Sequence, residues 1–393
     1  MKKLLIMALF VLSLFVRAQD NSFKQEDEFE FFKNHQTSNT HKEHKEEFQN
    51  FKARLNAEFT AFKKAQDDAL REFKEEIGAK WPTKEVGSSH KWVEYSKNYD
   101  EKRSINYATG EIEISVISKD PNTAKQKILK AFDEIYKKDV CDATKDDILE
   151  KKIAEKLKRQ RKDLNSKDKL IADVINENDK KKIQKTLEHS QPKHIEYNGN
   201  NIYKVQVELP VNAISKKAKK FYPLVIAQSS KSQISPSLIY AVIHSESSFN
   251  PMARSFVPAY GLMQIVPQSA GRDAYMFLYG QKKLLSSDYL YVPKNNILIG
   301  ATYLQILYFN YLKDIKDPKS RVYATIAAYN TGAGNVACAF VGKADIKKAS
   351  IKINSMSSTD VYDHLIKFLP HTETKQYLKK VSSKMDYYEK RLP

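Results

Sequence analysis

The sequence predicts a multidomain protein in which a helical arm and a small α+β domain precede a mainly α-helical domain. Apolar residues recur every three or four positions over residues 23–80, which is the period of an amphipathic helix. Apolar and polar residues then alternate over residues 90–118, as they do in strands with one buried face. From Val211 onward the helical period returns, and seven of the 11 glycines lie after residue 210. These changes of period define the predicted fold class.

Length and charge narrow the class of protein further. The chain has 393 residues, enough for two or three domains, and 41% of them are hydrophobic, which excludes wholesale disorder. Its 66 Lys and Arg residues outnumber 48 Asp and Glu residues, for a formal net charge of +18. This charge favours an anionic partner, such as a carboxylate-rich polymer or a membrane surface. Two cysteines are too few for a disulfide framework or a cysteine-based zinc site.

The first 18 residues have the pattern of a signal peptide. Lys2 and Lys3 form a basic start, the apolar run at residues 4–15 is too short for an ordinary membrane span, and Ala18 ends a small-residue cleavage site. The sequence therefore predicts export to the periplasm, with an uncleaved anchor as the alternative. Because no cysteine follows the apolar run directly, a lipid anchor is not predicted.

Residues 19–80 are predicted to form the helical arm. Its apolar residues lie three or four positions apart, or at multiples of that spacing, and charged residues fill the gaps. They are Phe48, Phe51, Leu55, Phe59, Phe62, Leu70, Phe73 and Ile77. This stripe predicts an amphipathic or coiled-coil helix whose apolar face packs against a core. An additional role in binding a partner is the alternative.

Residues 81–210 are predicted to form the α+β domain. Strand patterns lie at residues 92–95, 104–107 and 111–117. An amphipathic helix pattern follows over residues 122–138. Asn198 and Gly199 separate two further alternating segments, and this dipeptide favours the positive φ angles of a tight hairpin turn.

A basic stretch interrupts this domain at residues 151–193. It carries 14 Lys and Arg residues against 7 Asp and Glu residues. Helix-like spacing of these charges predicts a solvated helix face. The stretch has no Phe, Trp or Tyr on which bases could stack, so nucleic acid is not predicted as a partner.

Residues 211–393 are predicted to form the helical domain. Its helices are predicted at residues 213–232, 236–247, 267–278, 296–313, 319–330, 360–368 and 372–390. Ser235 followed by Pro236 is a strong helix start, because serine caps free backbone N–H groups and proline lacks one that would be left unpaired. Helices joined by glycine-containing loops are typical of an enzyme with a cleft.

One carboxylate stands out in this domain. Glu246 is predicted in the last turn of the 236–247 helix, four residues after Val242 and three after Ile243, and so on its apolar face. Burial and the negative end of the helix dipole both favour the protonated form, which predicts a raised pKa for Glu246. Such an acid can donate a proton to a glycosidic oxygen. The alternative is an exposed glutamate on a helix of different register.

Three short motifs extend this prediction. The sequence has no P-loop, dinucleotide-binding glycine motif, His-Glu-x-x-His motif or Gly-x-Ser-x-Gly elbow. It does contain Glu-Ser at 246–247, Gly-Leu-Met-Gln at 261–264 and Ala-Tyr-Asn at 328–330. In this order and at these separations, the motifs resemble those of the Slt-type lytic transglycosylases, which cleave peptidoglycan. The resemblance implies a lysozyme-like fold for the helical domain, with no cofactor and no metal.

Two further regions resemble the membrane-bound members of the same family. They are the start of the α+β domain at residues 92–114 and the end of the chain at residues 360–378. The resemblance thus covers about residues 70–390 and is weakest in the basic stretch. Membrane-bound members carry a lipid-modified cysteine after the signal peptide, and this chain departs from that pattern.

The resemblance implies roles for individual residues. Glu246 corresponds to a single catalytic residue that acts first as acid and then as base. Substrate contacts are implied for Ser247, Met263, Gln264, Tyr329, Asn330 and Tyr377. Plainer alternatives remain for four of them: a core side chain (Met263), a cleft wall (Tyr329), a helix cap (Asn330) and a packing contact (Tyr377).

The implied reaction needs only one carboxylate, whereas ordinary glycosidases use two. The glutamate protonates the β-1,4 oxygen between N-acetylmuramic acid and N-acetylglucosamine. It then takes the proton of the C6 hydroxyl, which attacks C1 and leaves a 1,6-anhydromuramyl end. The implied partner is a peptidoglycan glycan strand, and association with the wall or the outer membrane stays open, as does the oligomeric state. Two alternative functions remain: a muramidase that hydrolyses the same bond, and a non-catalytic peptidoglycan-binding or scaffold protein.

Overall fold

The computed structural model describes residues 41–161 and 165–391 of the chain. The predicted signal peptide at residues 1–18 and the predicted arm before residue 41 lie outside the described residues. The same holds for the side chains of residues 41–52, 54 and 55, which include three members of the predicted apolar stripe.

Helices and a single antiparallel sheet make up the first half of the described chain. In order, these are α1 (His41–Lys80), β1 (Lys91–Tyr95), β2 (Glu101–Asn106), β3 (Glu111–Ile117), α2 (Pro121–Lys137), α3 (Val140–Asp146), α4 (Ile148–Lys156), α5 (Glu177–His189), β4 (Lys193–Tyr197) and β5 (Asn200–Glu208). The predicted strands, the helix after β3 and the Asn-Gly hairpin are confirmed.

The second half of the described chain is helical, as predicted. Its helices are α6 (Ala213–Ser232), α7 (Pro236–Ser247), α8 (Arg272–Tyr279), α9 (Ser287–Tyr291), α10 (Pro293–Ile306), α11 (Pro318–Thr331), α12 (Ala333–Val341), α13 (Ile346–Asn354), α14 (Ser358–Phe368) and α15 (Thr372–Glu389). Wider π-helical turns at Pro267–Gly271 and Leu307–Tyr311 precede α8 and follow α10. The predicted fold class is confirmed.

Helix α1 buries one face of the arm against the rest of the molecule. Phe62, Phe73 and Ile77 are buried, and Trp81 follows the helix end and donates its indole N–H to the carbonyl of Tyr99 at 2.8 Å. Because these side chains share the predicted period, the stripe is packing surface over this part of the arm.

The sheet has the strand order β1-β2-β3-β5-β4, with every neighbouring pair antiparallel. Alternate residues such as Ile105, Ile112 and Val207 point to the buried face and lie opposite one another across the central strands. Helix α2 covers this face with residues four positions apart, among them Ala124 and Ile128. The alternation therefore sets which side of the sheet is core.

After α2 the chain leaves the sheet: α3 contacts α9 and α4 contacts α1, whereas α5 returns to pack against α2 and β5. Helix α4 lies beside α1, where Lys152 pairs with Glu76 at 2.8 Å and Lys156 pairs with Glu72 at 2.6 Å. The predicted solvated helix face is thus partly an ion-paired contact with the arm.

Helix α7 runs through the middle of the helical domain. Its residues from Leu238 to Ile243 are all buried, and it packs against α6 and α15. Buried apolar side chains form one continuous cluster that includes Ile77 of α1, Ile114 of β3 and Val242 of α7. The predicted domain boundaries at 80 and 210 fall next to the ends of α1 and β5, while the independence of the domains stays a prediction.

Two of the predicted helices differ locally from the structure. The predicted helix 267–278 begins with the π-helical turn Pro267–Gly271. The predicted helix 296–313 starts earlier, at Pro293, and ends with the π-helical turn Leu307–Tyr311. Helices α9, α12 and α13 were not predicted; each has nine residues or fewer and too few turns for a clear apolar period. Within the described residues, no helix has both the length and the apolar character that crossing a bilayer requires.

Candidate active site

Helix α7 positions the predicted acid through well-defined ends. The Ser235 hydroxyl accepts a hydrogen bond from the N–H of Leu238 at 3.2 Å, and Pro236 opens the helix. Ser248 and Phe249 then take positive φ angles of 49° and 64°, which ends the helix sharply. Glu246 is consequently fixed in the last turn.

Glu246 is half-buried, next to fully buried residues on both sides along the helix. Its charge acts on two groups from other helices. It contributes to the raised pKa of Tyr329, for which burial is the larger cause. It also partly offsets the effect of burial, which lowers the pKa of the Lys380 ammonium. The carboxylate therefore lies within electrostatic reach of α11 and α15.

Ser247 ties helix α7 to the Gly-Leu-Met-Gln loop. Its side chain is fully buried, and its hydroxyl lies 2.8 Å from the carbonyl of Leu262 and 3.0 Å from that of Ile243. A hydroxyl between two carbonyls in the core acts as a brace, and its side chain lies away from any surface that a sugar can reach.

The loop at residues 261–264 is held against α10 by one buried amide. The Asn296 side chain donates to the carbonyls of Tyr260 and Leu290 at 2.8 and 2.7 Å, and accepts from the N–H of Met263 at 2.7 Å. Gly261 has a φ of 74°, and a Cβ there would lie 2.3 Å from the Asn296 nitrogen. Only glycine fits this approach.

Met263 and Gln264 point in different directions. The Met263 side chain is fully buried against Gly300, where an added Cβ would lie 2.3 Å from its sulfur. Met263 therefore packs in the core, which is the plainer of its two predicted roles. Gln264 is half-buried, has a positive φ of 47°, and donates its side-chain amide to the carbonyl of Gly261 at 3.1 Å.

The Ala-Tyr-Asn motif lies near the end of α11 and meets the same loop. The Tyr329 hydroxyl donates to the Met263 carbonyl at 2.8 Å, so the second and third motifs are in direct contact. Burial, together with the charge of Glu246, raises the pKa of Tyr329, which keeps its hydroxyl protonated. Asn330 accepts a hydrogen bond from the Thr374 hydroxyl at 2.8 Å, across to α15.

Tyr377 lies on the same helix, three residues after Thr374, and is only 8% exposed. Its position favours a packing role for the ring. Asp273, the next carboxylate after Glu246, accepts a hydrogen bond from the side chain of Arg272 at 2.9 Å at the start of α8.

Basic groups gather around the carboxyl end of α7. Lys380 donates to the carbonyl of Ser245 at 2.8 Å. Burial and the positive charges of Lys384, Lys380 and His90 lower the pKa of His244 to about 4. Burial and Lys380 lower the pKa of Lys384 to about 8. Burial and Lys380 also lower the pKa of His90, so both histidines are neutral near pH 7, while Lys380 places positive charge near the predicted acid.

Sequence reasoning missed Lys380 and Asn296. Lys380 lies three residues after Tyr377, and this helical spacing was the signal that could have placed both residues on one face of α15. Asn296 directly follows Asn295 near the start of α10, and nothing in the local sequence distinguishes the buried amide from its half-buried neighbour. Within residues 41–161 and 165–391, no group of three or more His, Cys, Asp or Glu side chains could hold a metal ion.

Comparison with known proteins gives the class of this domain. Residues 223–351 match the model of the Transglycosylase SLT domain family. The matched region contains Glu246, the loop at 261–264 and Tyr329.

Curated relatives specify the kind of transglycosylase that the chain is similar to. It is 44% identical over 187 residues to membrane-bound lytic murein transglycosylase C of Photorhabdus laumondii, covering 48% of this chain and 52% of the relative. The protein of that name from Serratia proteamaculans is 43% identical over 190 residues, with the same coverage. The chain spans about half the length of the curated relatives it matches. The resemblance predicted from the motifs is confirmed.

Solved structures give weaker similarity. An inactive mutant of lytic transglycosylase Slt from Pseudomonas aeruginosa is 25% identical, with a TM-score of 0.34 over 46% of this chain and 28% of that chain. The 70-kDa soluble lytic transglycosylase from Escherichia coli is 18% identical, with a TM-score of 0.34 over 68% of this chain and 44% of that chain.

Proposed function

We propose that the protein is a lytic transglycosylase that cleaves the β-1,4 bond between N-acetylmuramic acid and N-acetylglucosamine in peptidoglycan. The observation that carries this proposal is the meeting of the three motifs around Glu246 within the transglycosylase SLT domain. Glu246 is the single acid and base. The names of the relatives support the class of reaction and of substrate.

The first half of the reaction requires a proton donor. We assign this role to Glu246, which is half-buried in the last turn of α7, at the negative end of the helix dipole. Tyr329 stays neutral and is oriented by its bond to the Met263 carbonyl, so it forms a fixed wall beside the acid. Protonation of the glycosidic oxygen then breaks the bond and leaves an oxocarbenium-like sugar.

The second half of the reaction requires a base. The positive charge of Lys380 favours the ionised form of Glu246 once its proton has left. The carboxylate accepts the proton of the muramyl C6 hydroxyl as that oxygen bonds to C1, which gives the 1,6-anhydro ring. Because the nucleophile belongs to the substrate, no second carboxylate has to position a water molecule.

The other site residues take supporting roles in this proposal. Gln264 is half-buried on the loop and is the side chain that we assign to a sugar contact. Ser247 and Met263 fix the loop through buried contacts. Asn330 joins α11 to Thr374 of α15, and Tyr377 is buried on α15.

The central test is the Glu246→Gln variant on purified peptidoglycan sacculi. We expect the release of soluble muropeptides to fall by at least about 10²-fold, because the amide cannot exchange the proton. Asp273→Asn is the matched control, since it neutralises the next carboxylate, and its release rate should stay within about twofold of wild type. Muropeptide release is followed by chromatography and mass spectrometry.

The products separate the alternatives. Muramyl ends lighter by one water support the transglycosylase, whereas reducing ends would identify a hydrolase. Unchanged release by Glu246→Gln would remove this residue from the reaction, and no release by the wild-type chain would favour a non-catalytic binding protein.

We also propose that the protein acts in the periplasm, because its substrate lies in the cell wall and residues 1–18 have the pattern of a signal peptide. Cell fractionation of the full chain and of a chain without residues 2–18 tests this location. Equal recovery of both chains in the cytoplasm would contradict it.

A further inference from the structure

Arg254 lies on the loop that joins Glu246 to the Gly-Leu-Met-Gln motif, yet its guanidinium and its backbone N–H contact the α+β region. Its backbone N–H donates to the carbonyl of Ser88, just before β1, at 3.4 Å. Its side chain is 11% exposed and runs past Gly87, where an added Cβ would lie 3.4 Å from the Arg254 Cδ. The loop therefore rests on the segment that leads into the sheet.

The guanidinium of Arg254 ends on a buried acid of helix α4. Its Nη2 pairs with Oε1 of Glu150, which is 1% exposed, and its Nη1 lies 3.5 Å from Asp147. The other Glu150 oxygen accepts a hydrogen bond from the Ser287 hydroxyl of α9 at 2.7 Å. Glu150 of α4 thus contacts both the active-site loop and helix α9 of the helical domain.

This ion pair is connected to the site through the backbone. Arg254 and Tyr260 form an antiparallel bridge, and the N–H of Gly261 donates to the carbonyl of Ala253 at 2.8 Å. Two residues after Gly261, the Met263 carbonyl accepts the bond from Tyr329. A shift of Arg254 would therefore be passed on to the loop and to the Tyr329 hydroxyl that bonds to it.

We propose that Arg254 is a positioning residue for the reaction and that Glu150 of the α+β region is its partner. This inference rests on the proposed function and assigns the α+β region a role in it: the region completes the active site by fixing the loop at residues 253–264. A misplacement of about 1 Å at a catalytic site can lower the rate about 10²-fold, so a buried pair that sets this loop has a direct effect on turnover.

The chain supplies a matched control pair across the same junction. Arg161, after α4, donates to Asp288 of α9 at 2.7 Å, and the Asp288 side chain is 4% exposed. Asp288 is adjacent to Ser287, which contacts Glu150, but neither Arg161 nor Asp288 lies on the active-site loop. Loss of either arginine leaves a buried carboxylate without its ion pair, so both should lower stability.

The test compares Arg254→Met with Arg161→Met in the full chain, at a temperature where circular dichroism shows each variant to be folded. We expect both to lower the melting temperature. Only Arg254→Met should lower kcat for muropeptide release, by about 10²-fold, with KM changed by less than about threefold. Arg254→Lys keeps the charge without the forked geometry and should recover part of kcat. If Arg254→Met does not fold, Arg254→Lys is compared with wild type in its place, and its kcat should still be lower.

A second readout does not depend on activity. Hydrogen exchange at the amides of Gly261 and Ile265, which bond to the carbonyls of Ala253 and Tyr260, should be at least about tenfold faster in Arg254→Met than in Arg161→Met. Wild-type kcat and loop protection in Arg254→Met would overturn the proposal, as would equal losses in both variants. If wild-type chain releases no muropeptides, the proposed function fails, while the exchange rates still decide whether Arg254 positions the loop.

Discussion

His244 shows how one side chain at the end of α7 couples stability to pH. Its Nδ1 lies 3.0 Å from the hydroxyl of Tyr388, and its pKa is lowered from 6.5 to about 4 by burial and by Lys384, Lys380 and His90. The neutral ring can accept a hydrogen bond from the hydroxyl, whereas a protonated ring would bring a further positive charge into a basic cluster.

We predict that this ring weakens the fold in acid. Because the folded chain binds the proton less readily than the unfolded chain, the free energy of unfolding should fall as pH drops from about 6.5 to about 4. After screening of this half-buried group is allowed for, the loss is about 2 kcal/mol. Urea unfolding of wild type and His244→Asn at pH 7.5 and 4.5 measures it. The asparagine variant should lose less stability over this range, and equal losses would contradict the prediction.

At the scale of elements, Asn296 holds the loop at 261–264 to helix α10. Its side chain is fully buried and makes three bonds to the backbone, two as donor and one as acceptor. A buried amide with all these partners satisfied specifies the loop conformation more strongly than apolar contact alone.

We predict that Asn296→Asp lowers the free energy of unfolding by about 3 kcal/mol. The new oxygen would face the carbonyls of Tyr260 and Leu290, which accept bonds and cannot donate them. Asn295→Asp is the control, because this half-buried neighbour makes a single bond, to Tyr289 at 3.2 Å, and should cost less than about 1 kcal/mol. Urea titrations give both values. Similar losses would show that the bonds of Asn296 are not special.

The same scale shows what could be predicted from sequence. The start of α7 and the Asn-Gly hairpin follow from local rules. A serine-proline pair favours a helix start, and an Asn-Gly pair favours the two positive φ angles of a tight turn. The contact between Tyr329 and Met263 joins residues 66 positions apart and was not predicted; the resemblance of motifs implied only that each residue lies at the site. The pairing of Arg254 with Glu150 spans 104 positions and belongs to no short motif, so sequence reasoning could not find it.

At the scale of the whole molecule, charge is the property most relevant to a polymeric substrate. The formal net charge is +18, and many lysines of the described chain are exposed. Peptidoglycan, the proposed substrate, carries carboxylates, so attraction between protein and wall should contribute to binding.

We therefore predict that binding to sacculi weakens as salt rises. Co-sedimentation of the Glu246→Gln variant separates binding from digestion. The bound fraction should fall when sodium chloride is raised from about 0.05 to about 0.5 M, because the screening length shrinks to a few ångströms. Binding that is insensitive to salt would show that neutral sugar contacts dominate.

The continuous apolar cluster has a consequence for cooperativity. Buried side chains of the arm, the sheet and the helical domain share one interior, and the Glu150–Arg254 pair joins the α+β region to the helical domain. A fragment beginning at residue 211 would expose apolar surface and would leave Arg254 without Asp147 and Glu150, the two acids with which it pairs. We therefore expect the arm, the α+β domain and the helical domain to unfold in a single transition. The helical domain alone should have no stable native state.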